Sequence, residues 1–240
     1  MTNVLRAELL KLRTTRTALA FAAAGVLVVL LFVLVGILAG KPSTIADKRA
    51  AISAGHIVAV LLVLFGVVGA TSEYRHRTVA AAALIVPSRL RLSLGRMLAY
   101  GLAGLAVGAL LLVVTFVIGI PLLSGRSGPT LRVSDYLRAA GGGLLACGLG
   151  AMLGVAVGVL IANQVAAVIG TLVFLLIAEP LIIAASTTVG KLLPGDALVT
   201  VGGQNVRHQL AFAVAVAVIL AWTAIALGVA GWVDRRRDIS

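Results

Sequence analysis

Six long apolar runs set the terms for this chain. They fall at about 17–40, 54–72, 97–123, 139–162, 165–186 and 210–233 of the 240 residues. Each reaches or approaches the ~20 residues a helix needs to cross the hydrocarbon of a bilayer. The stretch 139–186 is far too long for one crossing, so it divides at a short link around Asn163-Gln164. Composition agrees: 61% of residues are hydrophobic, 12% are charged and the mean hydropathy is +1.14. A water-facing shell needs more polar side chains than that, so lipid is the fitting solvent. The expectation is a single all-α membrane domain over 1–240, with six transmembrane helices. The first run is read as a span rather than a cleaved signal peptide, because its apolar stretch is too long.

The net charge is +12. In a water-soluble chain that excess would point to nucleic acid. Here the basic residues lie in short segments between apolar runs, so lipid head groups account for them and nucleic acid is set aside. One set of flanks holds Arg6, Lys11, Arg13 and Arg16, then Arg75, Arg77, Arg89, Arg91 and Arg96, then Arg235, Arg236 and Arg237. The opposite set holds Lys41, Lys48 and Arg49, then Arg126, Arg132 and Arg138, then Lys191 and Arg207. The richer side is expected to be cytoplasmic. That gives a multi-pass protein of the cell membrane with both termini inside, and a tight antiparallel hairpin of spans four and five on the inner face.

Two segments outside the runs carry pattern. Residues 3–16 read as an amphipathic helix, with Leu5, Leu9 and Leu12 at helical spacing and Arg6, Lys11 and Arg13 elsewhere around the axis. It is either an interfacial helix or a basic flank that enforces orientation. Between spans two and three, Thr78 is placed to cap a short helix over 79–85 that Pro87 stops. Glu73, Arg75 and Arg77 precede that helix, and Arg89 and Arg91 follow it. A rigid cytoplasmic helix of this kind would transmit motion from a soluble partner; the plainer reading is an ordinary basic loop.

Glu73-Tyr74-Arg75-His76-Arg77-Thr78, followed by Pro87 and Arg89, resembles the signature of ABC type-2 exporter permeases. Glu8-Leu-Leu-Lys11-Leu-Arg13-Thr14-Thr15 is similar to the family's opening before its first span. Ala178-Glu179-Pro180-Leu181 and Leu193-Pro194-Gly195-Asp196-Ala197 are similar to the later part of actinobacterial half-size members. The motifs cover the whole chain in order. Arg77 stands where many members have Gly, and Arg96 where many have Lys; Arg77 makes the entry to the short helix stiffer than the family pattern.

The resemblance implies roles. Residues 3–16, with Glu8, Lys11 and Arg13, would be an interfacial elbow helix. Residues 74–87 would be a coupling helix docking on a separate ABC ATPase, with Glu73 and Arg75 at its hinge and Tyr74, Arg77, Thr78, Pro87 and Arg89 along the contact. Residues 187–208 would be an external re-entrant region. Two such permeases, as a homodimer or a heterodimer with a homologue, would export cargo with ATP and Mg bound to the partner subunits. The chain itself would carry no cofactor and no enzyme activity.

Inside the spans, Glu179 is the one deeply placed acid, and a charge near the bilayer centre costs about 3 kcal/mol. It is a polar point on a transport pathway or a helix-pairing hydrogen-bond group. Pro180 beside it weakens the local ladder. Gly150, Gly154 and Gly158 in span four, and Gly104 and Gly108 in span three, recur at four-residue spacing and read as packing faces.

Other chemistries find little support. Gly36-Ile-Leu-Ala-Gly40-Lys41-Pro42 lacks the spacing and the Ser or Thr of a phosphate-binding loop, so ATP hydrolysis is not expected here. Gly125-Arg126-Ser127-Gly128, with His208 as a base, is a weak match to an intramembrane protease. His56 and His76 stand apart, and Cys147 is the only cysteine, so neither a metal site nor an intrachain disulfide emerges. The rival to an exporter permease is a non-transport membrane protein, a scaffold or an immunity protein. The apolar spans suit lipophilic or amphipathic cargo without naming it.

Overall fold

The computed structural model describes residues 2–53, 55–75, 89–203 and 210–237. Among these the chain is all helix, without a strand. Helix α1 (Thr2–Thr14) precedes α2 (Arg16–Ala39), whose last turn, Val35–Ala39, widens to a π-helix. Then come α3 (Ile45–Ile52), α4 (Gly55–Arg75), α5 (Arg89–Ser124) and α6 (Val133–Ile161). Helix α7 (Gln164–Ala185) carries a second π turn at Phe174–Ala178. Two short helices, α8 (Thr187–Gly190) and α9 (Pro194–Val201), lead to α10 (Phe212–Arg237).

Five of the described helices, α2, α5, α6, α7 and α10, are long and apolar enough to cross a membrane. Helix α4 occupies the remaining predicted run with 21 residues, apolar over Val58–Ser72. The outward faces explain the composition. On α2, Val29 and Val33 are 1% exposed, whereas Leu27 and Leu31 are about two-thirds exposed. Leu102, Val113 and Val117 on α5, Ile169 and Ile177 on α7, and Ile225 and Val229 on α10 are also exposed. Leucine and isoleucine at this density outside a closed core require an apolar solvent. The chain is therefore an all-helical, multi-pass membrane protein.

The core centres on α4 and α6, which pack along each other through small residues. A side chain at Gly66 would run into the backbone of Ala151 and Val155, and one at Gly154 into Val63 and Val67. Gly150 faces the Ala59 carbonyl, and Gly158 the Val67 backbone. On the other side of α6, Gly104 and Gly108 close on Cys147 of that helix. The glycine spacing expected to bring backbones together does so, and Gly66 supplies the matching half on α4. An aromatic chain joins α2, α4 and α5: Phe21 to Phe65 at 5.4 Å, and Phe65 to Tyr100 at 5.0 Å between ring centres.

Several helix ends depart from the apolar runs for local reasons. Helix α5 starts eight residues before its run, so Arg89 and Arg91 belong to the helix ahead of the apolar stretch; its 36 residues reach about 54 Å. Helix α6 starts six residues early, where the Asp135 carboxylate accepts the Arg132 backbone N–H at 2.9 Å. The link after α6 is as short as expected: Ala162 turns left-handed (φ 53°), and the Asn163 side chain accepts the Ala166 N–H at 3.1 Å.

Helix α3 went unread in the sequence, since its eight residues carry no apolar period. A reciprocal cap starts it: the Asp47 N–H donates to the Thr44 hydroxyl, and the Thr44 N–H to the Asp47 carboxylate. Its buried Lys48 ammonium reaches the carbonyls of Arg126 and Gly128 at 3.3 and 3.4 Å, and Arg49 pairs with Asp135 at 2.8 Å. These contacts tie the segment after α2 to the start of α6. Gly128 is needed there, with φ 97° and its α-carbon against the Ser43 carbonyl. Thr44→Ala should cost about 1 kcal/mol, or roughly 2–4 °C in the thermal midpoint of the detergent-solubilised protein. The Thr44 hydroxyl and backbone hold the Asp47 carboxyl below its ordinary pKa. The cap's contribution is thus present above the ordinary carboxylate value and is lost as pH falls through the lowered one.

Candidate functional site

Glu179 is 2% exposed and sits on α7 just after the π turn. Its carboxylate accepts the backbone N–H of Asp196 at 2.7 Å and that of Gly195 at 3.2 Å. Those amides belong to the first turn of α9, where the helix supplies no carbonyl partners of its own. The acid is therefore a remote cap, 16 and 17 residues away in sequence. The orphan N–H groups at the positive end of the α9 dipole favour an acceptor at this place. Gly195 makes this approach possible, because a Cβ at that position would collide with the carboxylate. Pro194, at the first position of α9, has no N–H to satisfy.

Helix α9 itself is buried from Pro194 to Val201, except at the half-buried Asp196, and packs against α4, α6 and α10. A short helix enters the bundle beside the spans, and Glu179 anchors its start. Protein on several sides covers its backbone, as irregular segments beside apolar helices require. The indole N–H of Trp222 on α10 closes the neighbouring turn by donating to the Leu192 carbonyl at 2.8 Å.

The opposite chemistry lies on α1. Leu12 is buried and Leu5 and Leu9 pack on the core, while Arg6 and Arg13 are exposed, so the helix has the two faces its sequence implied. The apolar face rests on the start of α5, with Val4 directly over Gly95. Glu8, 6% exposed, lies 3.5 Å from the Nε of buried Arg96 and 3.9 Å from the Lys11 ammonium. The ion pair fixes α1 against α5, and neither sequence motif had linked those two residues.

Glu73, Tyr74 and Arg75 form the last residues of α4, and Arg89 opens α5. These two helix ends lie at the same end of the bundle as α1, where the Tyr100 ring of α5 packs onto Gly69 of α4. Arg77, Thr78 and Pro87, with the expected short helix over 79–85, lie outside the described residues, as does His208. Among the described residues no group of three His, Cys, Asp or Glu side chains is placed to hold a metal. Cys147 is buried in the α5–α6 seam, and Ser127 is exposed in the connection between those helices.

A groove that no motif announced runs between α7 and α10. Its volume is about 340 Å³, and its floor is Val63 of α4 with Leu153 and Val157 of α6. Phe174 in the π turn and Thr171 form one wall, and Trp222 and Val229 stand on the other. No family model matches this chain, and no curated protein matches it.

Proposed function

We propose that this chain is the permease subunit of an ATP-binding cassette exporter, worked by a separate ATPase. The observation that carries the reading is the grouping at one end of the bundle. The amphipathic helix α1, pinned through Glu8 and Arg96, lies there with the facing ends of α4 and α5, which bear Glu73-Tyr74-Arg75 and Arg89. A mobile contact at that end would move α1, α4 and α5 together, because α1 is paired to α5 and α5 is packed on α4. In this reading α4 is a sixth span, residues 74–87 carry the coupling helix, and Glu73 and Arg75 form its hinge. Both termini are cytoplasmic. Two permeases, identical or homologous, enclose the path of a lipophilic cargo, and ATP with Mg stays on the partner subunits.

Charge reversal at Arg75, Arg77 and Arg89 together is expected to abolish co-purification of the ATPase, at least tenfold below the unmodified chain, while the gel-filtration profile of the permease is unchanged. Retention of the ATPase by the reversed chain would remove the coupling assignment. Orientation has its own test. In a Cys147→Ser background, Ser127→Cys should react in intact cells with a membrane-impermeant maleimide, and Thr2→Cys only after lysis. Labelling with the opposite preference would invert the assignment of the two sides.

A further inference from the structure

We propose that the outward face of α1, continued into the start of α2, docks the head groups of anionic phospholipids in the bilayer. A helix lying in the interface ordinarily buries its apolar face in the acyl boundary and turns its charges to water. Here the protein itself has taken the apolar face. Leu12 is buried, Leu5 and Leu9 pack on the core, and Glu8 is enclosed beside Arg96. The side of α1 left uncovered is the opposite one, with Arg6, Leu10 and Arg13 exposed along it. Arg6 and Arg13 are two turns apart, so they stand in line about 10 Å from each other with Leu10 between them.

The charge on this face is uncompensated. Among the described residues no carboxylate pairs with Arg6, Arg13 or Arg16. Glu8, the acid of α1, is turned the other way, toward Arg96 and Lys11. A guanidinium takes a phosphate through two parallel N–H groups. Each basic side chain beside an anionic membrane surface strengthens the attraction about fivefold.

Continuity with the lipid-facing surface selects a lipid over an acidic protein. Leu19, Ala23, Leu27 and Leu31 follow at four-residue steps down the outer side of α2, and all are exposed. Arg16 stands one turn before Leu19 on the same stripe and is exposed too. The stripe that meets acyl chains therefore ends in an arginine, at the level where a phospholipid carries its phosphate. Leu10, 64% exposed, is an apolar side chain set between two arginines, which suits the first methylenes beneath a charged head group. The surface does not depend on an ATPase, and its test is separate from that of the exporter reading.

A fluorophore between the two arginines reports on the lipid beside them. The full chain carrying Cys147→Ser and Leu10→Cys, labelled at position 10 with nitrobenzoxadiazole, is placed in phosphatidylcholine nanodiscs. Phosphatidylglycerol or phosphatidylcholine bearing a nitroxide near the glycerol is added in equal share, and the quenching is compared. Phosphatidylglycerol should be preferred about tenfold. Raising the salt from about 0.05 M to about 0.5 M should lower that preference severalfold, because salt screens exposed charges. Arg6→Gln with Arg13→Gln should reduce it to about twofold. Arg126→Gln with Arg138→Gln removes the same charge beyond the far end of α5 and should leave the preference unchanged. Equal quenching by the two lipids would overturn the proposal, and so would a preference indifferent to Arg6 and Arg13 or lost equally with Arg126 and Arg138. A fluorophore that neither lipid quenches would place this face in water, open to an acidic protein, and would overturn it as well.

Discussion

Glu179→Ala is expected to lower the thermal midpoint of the purified protein by roughly 5–10 °C, or about 3 kcal/mol for a chain of this size. Two amides at the start of α9, those of Gly195 and Asp196, lose their acceptor. Glu179→Gln retains one acceptor oxygen and should lose about half as much. Gly195→Ala alone should also destabilise, because the new methyl displaces the carboxylate. Combined with Glu179→Ala it should add little further, since the clash is then absent. That non-additivity separates a specific cap from two independent defects. A midpoint indifferent to Glu179→Ala would contradict the capping role and return the residue to the transport pathway as its main use.

Gly154→Val is expected to be the most damaging single change in the spans. Its Cβ would lie 2.9 Å from the Val63 carbonyl carbon and 3.0 Å from the Val67 nitrogen, and main chain has no rotamer to yield. Relief requires α4 and α6 to separate along the centre of the bundle. The cost is about 3 kcal/mol or more, at or beyond the upper end for overpacked cores. The gel-filtration peak should shrink or broaden, and the midpoint of what remains should fall by roughly 10 °C. Gly66→Val should behave alike, with 2.8 Å to the Val155 nitrogen from the other side of the seam. Gly141→Ala is the control: nothing in the protein lies within 4 Å of that methyl, so better helix propensity should leave the midpoint unchanged or slightly higher. Equal behaviour of Gly154→Val and Gly141→Ala would show that the α4–α6 seam does not limit stability.

These two sites also mark what the sequence could and could not convey. The five long apolar helices were legible because hydrophobicity over ~20 residues is a bulk property of the segment. The seam was half legible: the four-residue spacing of Gly150, Gly154 and Gly158 announces a close face, but not that Gly66 of α4 meets it. Glu179 stood out by its rarity within the spans. Its partners could not be read, because backbone amides 16 and 17 residues away leave no mark in residue type except the glycine that makes room for the carboxylate. Lys48 was counted only as a charge on one side, Asp135 was not singled out, and Arg96 was counted as a charge and as a family position. Their actual partners, loop carbonyls, Arg49 and Glu8, follow from tertiary packing. The groove was illegible for the same reason, since Val63, Leu153, Phe174 and Trp222 are ordinary in sequence and come together only in the fold.

On the proposed exporter reading, this membrane bundle is moved by a subunit it does not itself contain. The most direct measurement is isolation of the intact chain from its native membranes in mild detergent, followed by assay of Mg-dependent ATP hydrolysis and of subunit ratio across the permease peak. An ATPase subunit present one-to-one with this chain, with activity that follows the peak and leaves it when Arg75, Arg77 and Arg89 are reversed, is the predicted result. A folded chain that elutes without any nucleotide-hydrolysing partner would contradict it and favour a non-transport membrane protein.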